Sequence, residues 1–336
     1  MALRIALAAT ASFVVAEALD WDFTFFGPMF ATQLLASSRQ CPTLRQGMGF
    51  VTVIGAANLL ALLLSGALVE MPPVLVLALA LVLFLSFYGQ HRGVPDFVTM
   101  MVQISTVAIP VFAVITPELA AKMAEALATG GLIAALAVWA AHAVFPDPED
   151  AQRPAADHSP RAILPANAAM RAALRNTAIV MPVLIWYLLD DTQIAVVMLI
   201  VIVTVIRQHD PRDGQRAAMG LVVGNLIGGV AAALAYALIQ TNQTTAFFAI
   251  VCFGASLGFA GRIAAGGTQA PLYVIAFSTF LILLGLGITP LPSGTGEAFL
   301  SRLFYVLLAT IYAIGALSLL SIRQNRRARL LQSGFQ

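Results

Sequence analysis

Long apolar stretches, repeated along the whole chain, constrain this sequence more than any other feature. They fall at residues 3–19, 23–38, 48–69, 72–90, 96–116, 120–145, 172–189, 192–206, 217–239, 244–261, 270–289 and 298–322. A helix needs about 20 mostly apolar residues to cross a bilayer. We therefore predict an all-α integral membrane protein with about twelve transmembrane helices and the lipid bilayer as its main partner. The stretches at 23–38 and 192–206 are short, so a re-entrant path stays an alternative for both.

The distribution of positive charge supports twelve crossings. If every stretch crosses, 16 of the 18 Lys and Arg residues share one side with both termini, and only Lys122 and Arg302 lie opposite. The positive-inside rule makes the Arg-rich side cytoplasmic. The Arg residues are scattered over short loops, so we expect no nucleic-acid partner.

An internal repeat divides the chain. A shift of 171 residues superposes Arg4 on Arg175, Asp20 on Asp191, Arg45 on Arg216, Met48 on Met219 and Gly49 on Gly220. Since each copy has an even number of spans, the copies run parallel, related by an axis along the membrane normal. We predict a first six-helix repeat at 1–145, a cytoplasmic linker at 146–168, a second six-helix repeat at 169–322 and a basic cytoplasmic tail at 323–336.

Ionisable residues at the ends of the spans are the first functional candidates, because charges are costly in hydrocarbon. Acids at the outer turns could couple proton entry to transport or could be solvated loop residues: Glu17, Asp20, Asp22, Asp190 and Asp191. Cytoplasmic arginines could attract an anion or could only anchor the topology: Arg4 with Arg175, Arg45 with Arg216, and Arg92 and Arg262 beside Gly- and Pro-containing turns.

Uncharged polar and small residues inside the spans are further candidates. Asn58, Gln103 and Asn225 could line a polar path, although hydrogen bonds between helices are the more common role of such residues. A stripe at four-residue spacing predicts close helix packing at the interface between the repeats: Gly220, Gly224 and Gly228.

Enzyme motifs are nearly lacking. Residues 254–258 fit the G-x-S-x-G pattern, but they lie in a predicted membrane helix rather than at a strand-turn-helix elbow. The four histidines lack metal-ligand spacing, and no glycine-rich stretch precedes Lys122, the only lysine, as a phosphate-binding loop would require. We expect no catalytic activity, no metal site and no cofactor.

Short motifs in both halves resemble the aromatic acid exporter superfamily, also called the fusaric acid resistance protein-like family. They are Leu3-Arg4 with Asp20-Trp21 at the two ends of the first span, residues 45–49 leading to Gly55-Ala56, and residues 215–220 leading to Gly224. The chain lacks the substantial cytoplasmic domain of larger members, so it resembles a compact form. The resemblance implies a bacterial inner-membrane exporter, driven by protons, for aromatic or other small organic acids.

The resemblance also implies a periplasmic membrane-fusion (adaptor) protein as a partner. A homo-oligomer is compatible with it. Two alternatives to the exporter stay open: a passive anion channel or pore, and a membrane subunit of an assembly that transports nothing itself.

Overall fold

A computed structural model describes most of the chain. It covers residues 1–21, 23–37, 40–146, 163–189, 195–208, 214–242, 244–267 and 269–288, with residues 304, 308–309, 311–313 and 315–316. Within these residues every regular element is an α-helix. The all-α prediction is therefore confirmed for the part of the chain that the structure describes.

Eleven helices follow the predicted apolar stretches closely. They are α1 (Ala2–Ala18), α2 (Phe26–Ser37), α3 (Leu44–Leu68), α4 (Pro72–His91), α5 (Asp96–Ile115), α6 (Pro117–Val144), α7 (Ala166–Leu189), α8 (Ala195–Gln208), α9 (Gly214–Ile239), α10 (Thr245–Ala265) and α11 (Ala270–Ile288). In the twelfth stretch, the described residues 304, 308–309, 311–313 and 315–316 are helical.

Eight of the described helices are long and apolar enough to cross a membrane: α3 to α7 and α9 to α11. The other three are shorter, with 17 residues in α1, 12 in α2 and 14 in α8. At 1.5 Å per residue, α2 and α8 extend about 18 and 21 Å, less than the roughly 30 Å hydrocarbon core.

The second stretch is helical over a shorter range than predicted. Residues 23–25 form a turn, and the Phe23 carbonyl accepts a hydrogen bond of 3.2 Å from the Phe26 amide. Phe23 and Asp20 adopt left-handed backbone angles, with φ of 57° and 50°. Because a right-handed helix cannot contain such residues, α2 begins only at Phe26.

The helix surfaces show that the solvent is lipid. On α4, Leu75, Leu79 and Leu83 are buried in the protein, whereas the opposite face exposes Leu77, Leu81 and Leu85. A surface helix of a water-soluble protein carries polar side chains on its outer face. A helix that is apolar on both faces is suited to a bilayer, and the protein is therefore a multi-pass membrane protein.

Four described helices of the first half contact the second half, namely α1, α2, α4 and α5, with α2 touching α11. α1 is buried among α2, α6 and α10, with Phe13 packed edge-to-face on Phe248 at a centroid distance of 5.8 Å. α4 packs on α7, and α5 contacts both α7 and α8.

The glycine stripe of α9 lies elsewhere than predicted. Gly224 and Gly228 pack against α11, within the same predicted repeat, and a Cβ at Gly228 would meet the Ala276 carbonyl oxygen at 2.2 Å. Gly220 has nothing within 4 Å of its Cβ position. The prediction that the stripe lies between the repeats was wrong, because α9 uses these glycines to approach its neighbour α11 closely.

One end of the bundle is defined by contacts between helix termini. The Arg4 side chain donates a hydrogen bond of 2.7 Å to the Phe145 carbonyl, joining the start of α1 to the end of α6. The Trp139 indole donates to the Pro42 carbonyl at 2.9 Å, joining α6 to the turn before α3. The Leu164 amide donates to the His91 carbonyl at 3.1 Å, joining α4 to the segment before α7.

Candidate functional site

A buried arginine joins α8 to α5 at this end of the bundle. Arg207 lies in the last turn of α8 and is 9% exposed. Its guanidinium donates hydrogen bonds to the Thr99 hydroxyl at 3.2 Å, the Gln103 side-chain oxygen at 2.8 Å and the Asp96 carbonyl at 2.7 Å. The Asp96 carboxylate is 3.6 Å away and 64% exposed. Among the described contacts, neutral oxygens lie closest to this buried cation, and the Asp96 carboxylate is its salt-bridge partner.

The same guanidinium orients two amides. Because arginine offers only donors, Gln103 must turn its oxygen towards Arg207 and its NH₂ group away. That NH₂ group lies 3.5 Å from the side-chain oxygen of Gln90. Gln90 Nε2 is on the other side of this amide, and it is buried with no hydrogen-bond partner in the part of the chain that the structure describes. An unmade hydrogen bond of a buried group costs about 1–3 kcal/mol, so the row from Arg207 to Gln90 ends on a donor that lacks an acceptor.

A second set of polar side chains joins α4 to α7. Asn176 accepts a hydrogen bond of 3.4 Å from Arg175 Nε, and its amide nitrogen lies 3.5 Å from His91 Nε2. His91 and Asn176 are both buried. The hydroxyl of Thr177, the next residue of α7, is buried without a hydrogen-bond partner. A further donor or acceptor is thus unsatisfied beside this contact.

Six buried side chains from four helices form what we call the junction cluster: Gln90, His91, Thr99, Gln103, Asn176 and Arg207. α4 and α5 belong to the first predicted repeat, and α7 and α8 belong to the second. The cluster combines a buried positive charge with amide and hydroxyl groups. N–H donors beside a guanidinium are suited to the oxygen atoms of a small anion.

The other predicted arginines have separate surroundings. The guanidinium of Arg4 is buried against the last carbonyls of the α6 end, Phe145 and Pro146, where a cation stabilises a helix terminus. Arg175 is half-buried beside Asn176. The predicted pair of Arg4 and Arg175 thus has different partners at its two positions.

The remaining predicted cytoplasmic arginines lie outside the cluster. Arg45 is exposed in the first turn of α3. Arg92 is exposed and donates to the Leu164 carbonyl at 3.1 Å, and Arg262 is exposed with its guanidinium 5.8 Å from the centre of the Tyr273 ring. Arg216 lies on α9, and its side chain is outside the described residues.

Two of the predicted outer acids are described. Glu17 is half-buried near the end of α1, and Asp20 is exposed in the turn that follows. Asp22, Asp190 and Asp191 lie outside the described residues. Glu17 is therefore the described acid of this set that the fold shields from solvent.

Two predicted path residues bond neighbouring helices. Asn58 of α3 accepts a hydrogen bond of 2.7 Å from the Ser105 hydroxyl of α5 and donates one of 2.8 Å to the Ala124 carbonyl. Asn225 of α9 accepts one from the Thr279 hydroxyl of α11. Both amides make the interhelical bonds that were the alternative interpretation, whereas Gln103 belongs to the junction cluster.

A serine nucleophile and a metal site both have little support in the described part of the chain. Ser256 of the G-x-S-x-G pattern is buried within the continuous helix α10, not at a strand-turn-helix elbow. Over the same described residues, no three His, Cys, Asp or Glu side chains come together as a metal site would require.

Sequence reasoning identified only Gln103 of the six cluster residues. Arg207 entered the prediction only as one of the 16 basic residues on the Arg-rich side, with no role of its own. The sequence signal that could have identified these residues is that polar side chains occur at the ends of several spans. Gln90 and His91 end α4, and Arg207 lies in the last turn of α8. Their convergence depends on how α4, α5, α7 and α8 pack, which the sequence pattern does not give.

Comparison with known proteins yields one partial match. Residues 1–141 match a family model described as a protein of unknown function (DUF2955). The matched region covers α1 to α5 and ends in the last turn of α6. No curated protein matches the chain, and no solved structure matches it.

Proposed function

We propose that this membrane protein exports small organic anions, above all aromatic carboxylates, from the cytoplasm of a bacterium across its inner membrane. The observation that carries the proposal is the buried Arg207 at the contact between α5 and α8. A charge inside a membrane protein is costly to bury and commonly marks the path of a substrate or ion. Here the buried charge is positive, and its described salt-bridge partner Asp96 is largely exposed at 3.6 Å. A buried cation on a solute path favours an anionic solute.

We further propose that twelve helices form two parallel repeats with both termini in the cytoplasm. The contacts between the halves support this arrangement, because they come in corresponding pairs. α1 packs on α10, and their counterparts under the 171-residue offset, α7 and α4, also pack on each other. The family match is consistent with a first unit of six helices, since it ends at residue 141, in the last turn of α6. Alternating access would then rock one unit against the other around the junction cluster.

Glu17 is the residue that we propose for proton coupling. It is half-buried near the end of α1, a helix that packs on α2 and α6 of the first half and on α10 of the second. A carboxylate in such a position can exchange protons with the outer solution while it responds to movement of the bundle. The aromatic acid exporter type, with a periplasmic adaptor protein as partner, fits this assignment and remains part of the proposal.

The proposal is tested by measuring retention of radiolabelled benzoate in cells that lack the protein and in cells that regain it. Restored cells should retain several-fold less benzoate, and a protonophore should abolish the difference. Glu17→Gln should export without the dependence on a pH gradient. Unchanged retention of benzoate and of a panel of other organic acids would refute export.

A passive channel is distinguished by the same protein in proteoliposomes. It would release benzoate down its gradient at a rate that is insensitive to an imposed pH gradient and to Glu17→Gln. A subunit that transports nothing itself would leave benzoate inside the liposomes under every gradient.

A further inference from the structure

The turn between α1 and α2 holds an aromatic residue in an unfavourable backbone conformation. Phe23 has a φ of 57°, and a bulky residue at such a left-handed angle is a genuine outlier. Glycine would adopt this angle without strain. The Phe23 ring, however, contacts the rings of Phe25, Phe26 and Phe112 at centroid distances of 6.3, 6.2 and 5.9 Å. The position therefore keeps an aromatic side chain in spite of its backbone strain.

The next residue in the turn is unfavourable for a different reason. Thr24 is 4% exposed, and its hydroxyl is buried with no hydrogen-bond partner among the described residues. A buried hydroxyl without a partner destabilises the fold, and valine would fill the same space without one. Thr32 of α2 shows the usual arrangement, because its buried hydroxyl donates to the Pro28 carbonyl at 2.8 Å. Two adjacent residues that both reduce stability are typical of a functional site.

The surroundings of this turn suit an aromatic anion. α2 begins at Phe26, and residues 24–32 are all buried, so the positive end of the helix dipole lies inside the protein. The turn is contacted by Phe112 of α5 and by α11, where a side chain at Gly285 would collide with Phe25. Because α5 and α11 belong to different predicted repeats, both halves of the protein border the turn.

The turn and the junction cluster lie at opposite ends of the bundle. Arg4 at the start of α1 lies at the end that holds the junction cluster, and the 17 residues of α1 extend about 25 Å from there to the turn. In the proposed orientation, this is the end from which the solute leaves. Glu17 and Asp20 precede the turn, and their repulsion of a carboxylate limits its affinity and aids its release.

We propose that the turn at Phe23 and Thr24 is a second binding site, which holds the transported aromatic acid before it is released. The Thr24 hydroxyl donates a hydrogen bond to the carboxylate of the solute, and the rings of Phe23, Phe25 and Phe112 contact its aromatic ring. This inference rests on the proposed function and deepens it. Because aromatic rings prefer edge-to-face and offset-stacked contacts with one another, the site selects an aromatic acid over a saturated one of similar size.

The experiment measures binding of benzoate and of cyclohexanecarboxylate to the purified full-length protein by calorimetry, together with the melting temperature without ligand. Thr24→Val removes the hydroxyl and should raise the Kd for benzoate roughly tenfold without lowering the melting temperature. Thr24→Ser keeps the hydroxyl and should recover most of the affinity. Thr32→Val is the matched control, since it removes a buried hydroxyl from α2 that already has a partner, and it should leave the Kd unchanged.

A second substitution tests recognition of the ring. The wild-type protein should bind benzoate more tightly than cyclohexanecarboxylate, and Phe23→Leu should reduce this preference about threefold. A wild-type Kd for benzoate in folded Thr24→Val, or the same loss of affinity in Thr32→Val, would overturn the inference. If Thr24→Val does not fold, an unchanged preference in Phe23→Leu overturns it.

Failure of this site can be told apart from failure of the exporter. If the wild-type protein binds and exports benzoate, and the Thr24 and Phe23 variants do so with the same Kd and KM, the proposed function stands and only this site is wrong. If the wild-type protein neither binds nor exports any tested acid, the proposed function itself fails.

Discussion

Arg207 of α8 donates a hydrogen bond of 2.8 Å to the side-chain oxygen of Gln103 on α5, and both residues are buried. The two residues are 104 positions apart and lie in different predicted repeats. A movement of one repeat against the other would lengthen or break this bond. With the contacts of Arg207 to Thr99 and of Asn176 to His91, it is one of the polar contacts across the two halves that such a movement would change.

The first prediction concerns the charge and shape of Arg207. Arg207→Gln removes the cation and should lower benzoate export at least tenfold. Arg207→Lys keeps the charge but loses the planar fork, whose Nη1 donates to Thr99 and Gln103 and whose Nη2 donates to the Asp96 carbonyl, so it should retain part of the activity. Initial export rates, normalised to the amount of folded protein, measure the effect.

The control for this series is Arg171→Gln on α7, because Arg171 is exposed and lies on the same Arg-rich side. Export by this variant should equal that of the wild type. A wild-type rate in folded Arg207→Gln would remove Arg207 from the transport path and leave it as an anchor of α8 to α5.

The second prediction concerns the close approach of α9 and α11. Gly228→Ala puts a methyl group where the Ala276 carbonyl oxygen is only 2.2 Å away, and backbone cannot move aside as a side chain can. Overpacking of this kind costs typically about 1–3 kcal/mol. The melting temperature in detergent should fall clearly for Gly228→Ala. Gly220→Ala is the control, because an added Cβ at Gly220 has no atom within 4 Å, and its melting temperature should equal that of the wild type.

The third prediction separates packing from a transport role at Asn58. A double-mutant cycle of Asn58→Ala and Ser105→Ala should give a coupling energy of about 0.6 kcal/mol, the average for such bonds in a membrane protein. Export per folded molecule should not change in any of the three variants. A selective loss of export with unaltered stability would instead put Asn58 on the solute path.

The helices could be predicted well because each depends on local composition. The apolar stretches gave α4, for example, to within one residue of its end at His91. The start of α2 was harder to predict, since the left-handed backbone angle at Phe23 occurs at a residue other than glycine and the sequence pattern does not mark it. The positions of Gly224 and Gly228 against α11 depend on which helices are neighbours, and the pattern within α9 cannot reveal that.

Most residues of the candidate site could not be predicted from the sequence, because their proximity also depends on which helices are neighbours. Its residues come from four helices, and Arg207 looks like any other arginine that ends a span. The positive-inside rule explains its side of the membrane but not its burial. The matching position of Arg4 in both repeats suggested an anion path or an anchor, and the structure shows its guanidinium at the end of α6, a contact that the sequence pattern does not reveal. Its part in an anion path stays a prediction.

The last prediction uses the natural cysteines to test orientation. Cys41 is exposed just before α3, whereas Cys252 is buried in α10. If the Arg-rich side is cytoplasmic, a membrane-impermeant maleimide should label Cys41 in inverted vesicles and not in intact spheroplasts, with Cys41→Ser as the unlabelled control. Labelling in spheroplasts would mean that the loop containing Cys41 faces the periplasm, and it would change the predicted side of the membrane for other segments as well. The turn at Pro42 is bonded to Trp139 of α6, and the end of α6 is bonded to Arg4. The start of α1 would then face the periplasm together with Cys41, which would contradict the predicted cytoplasmic N-terminus.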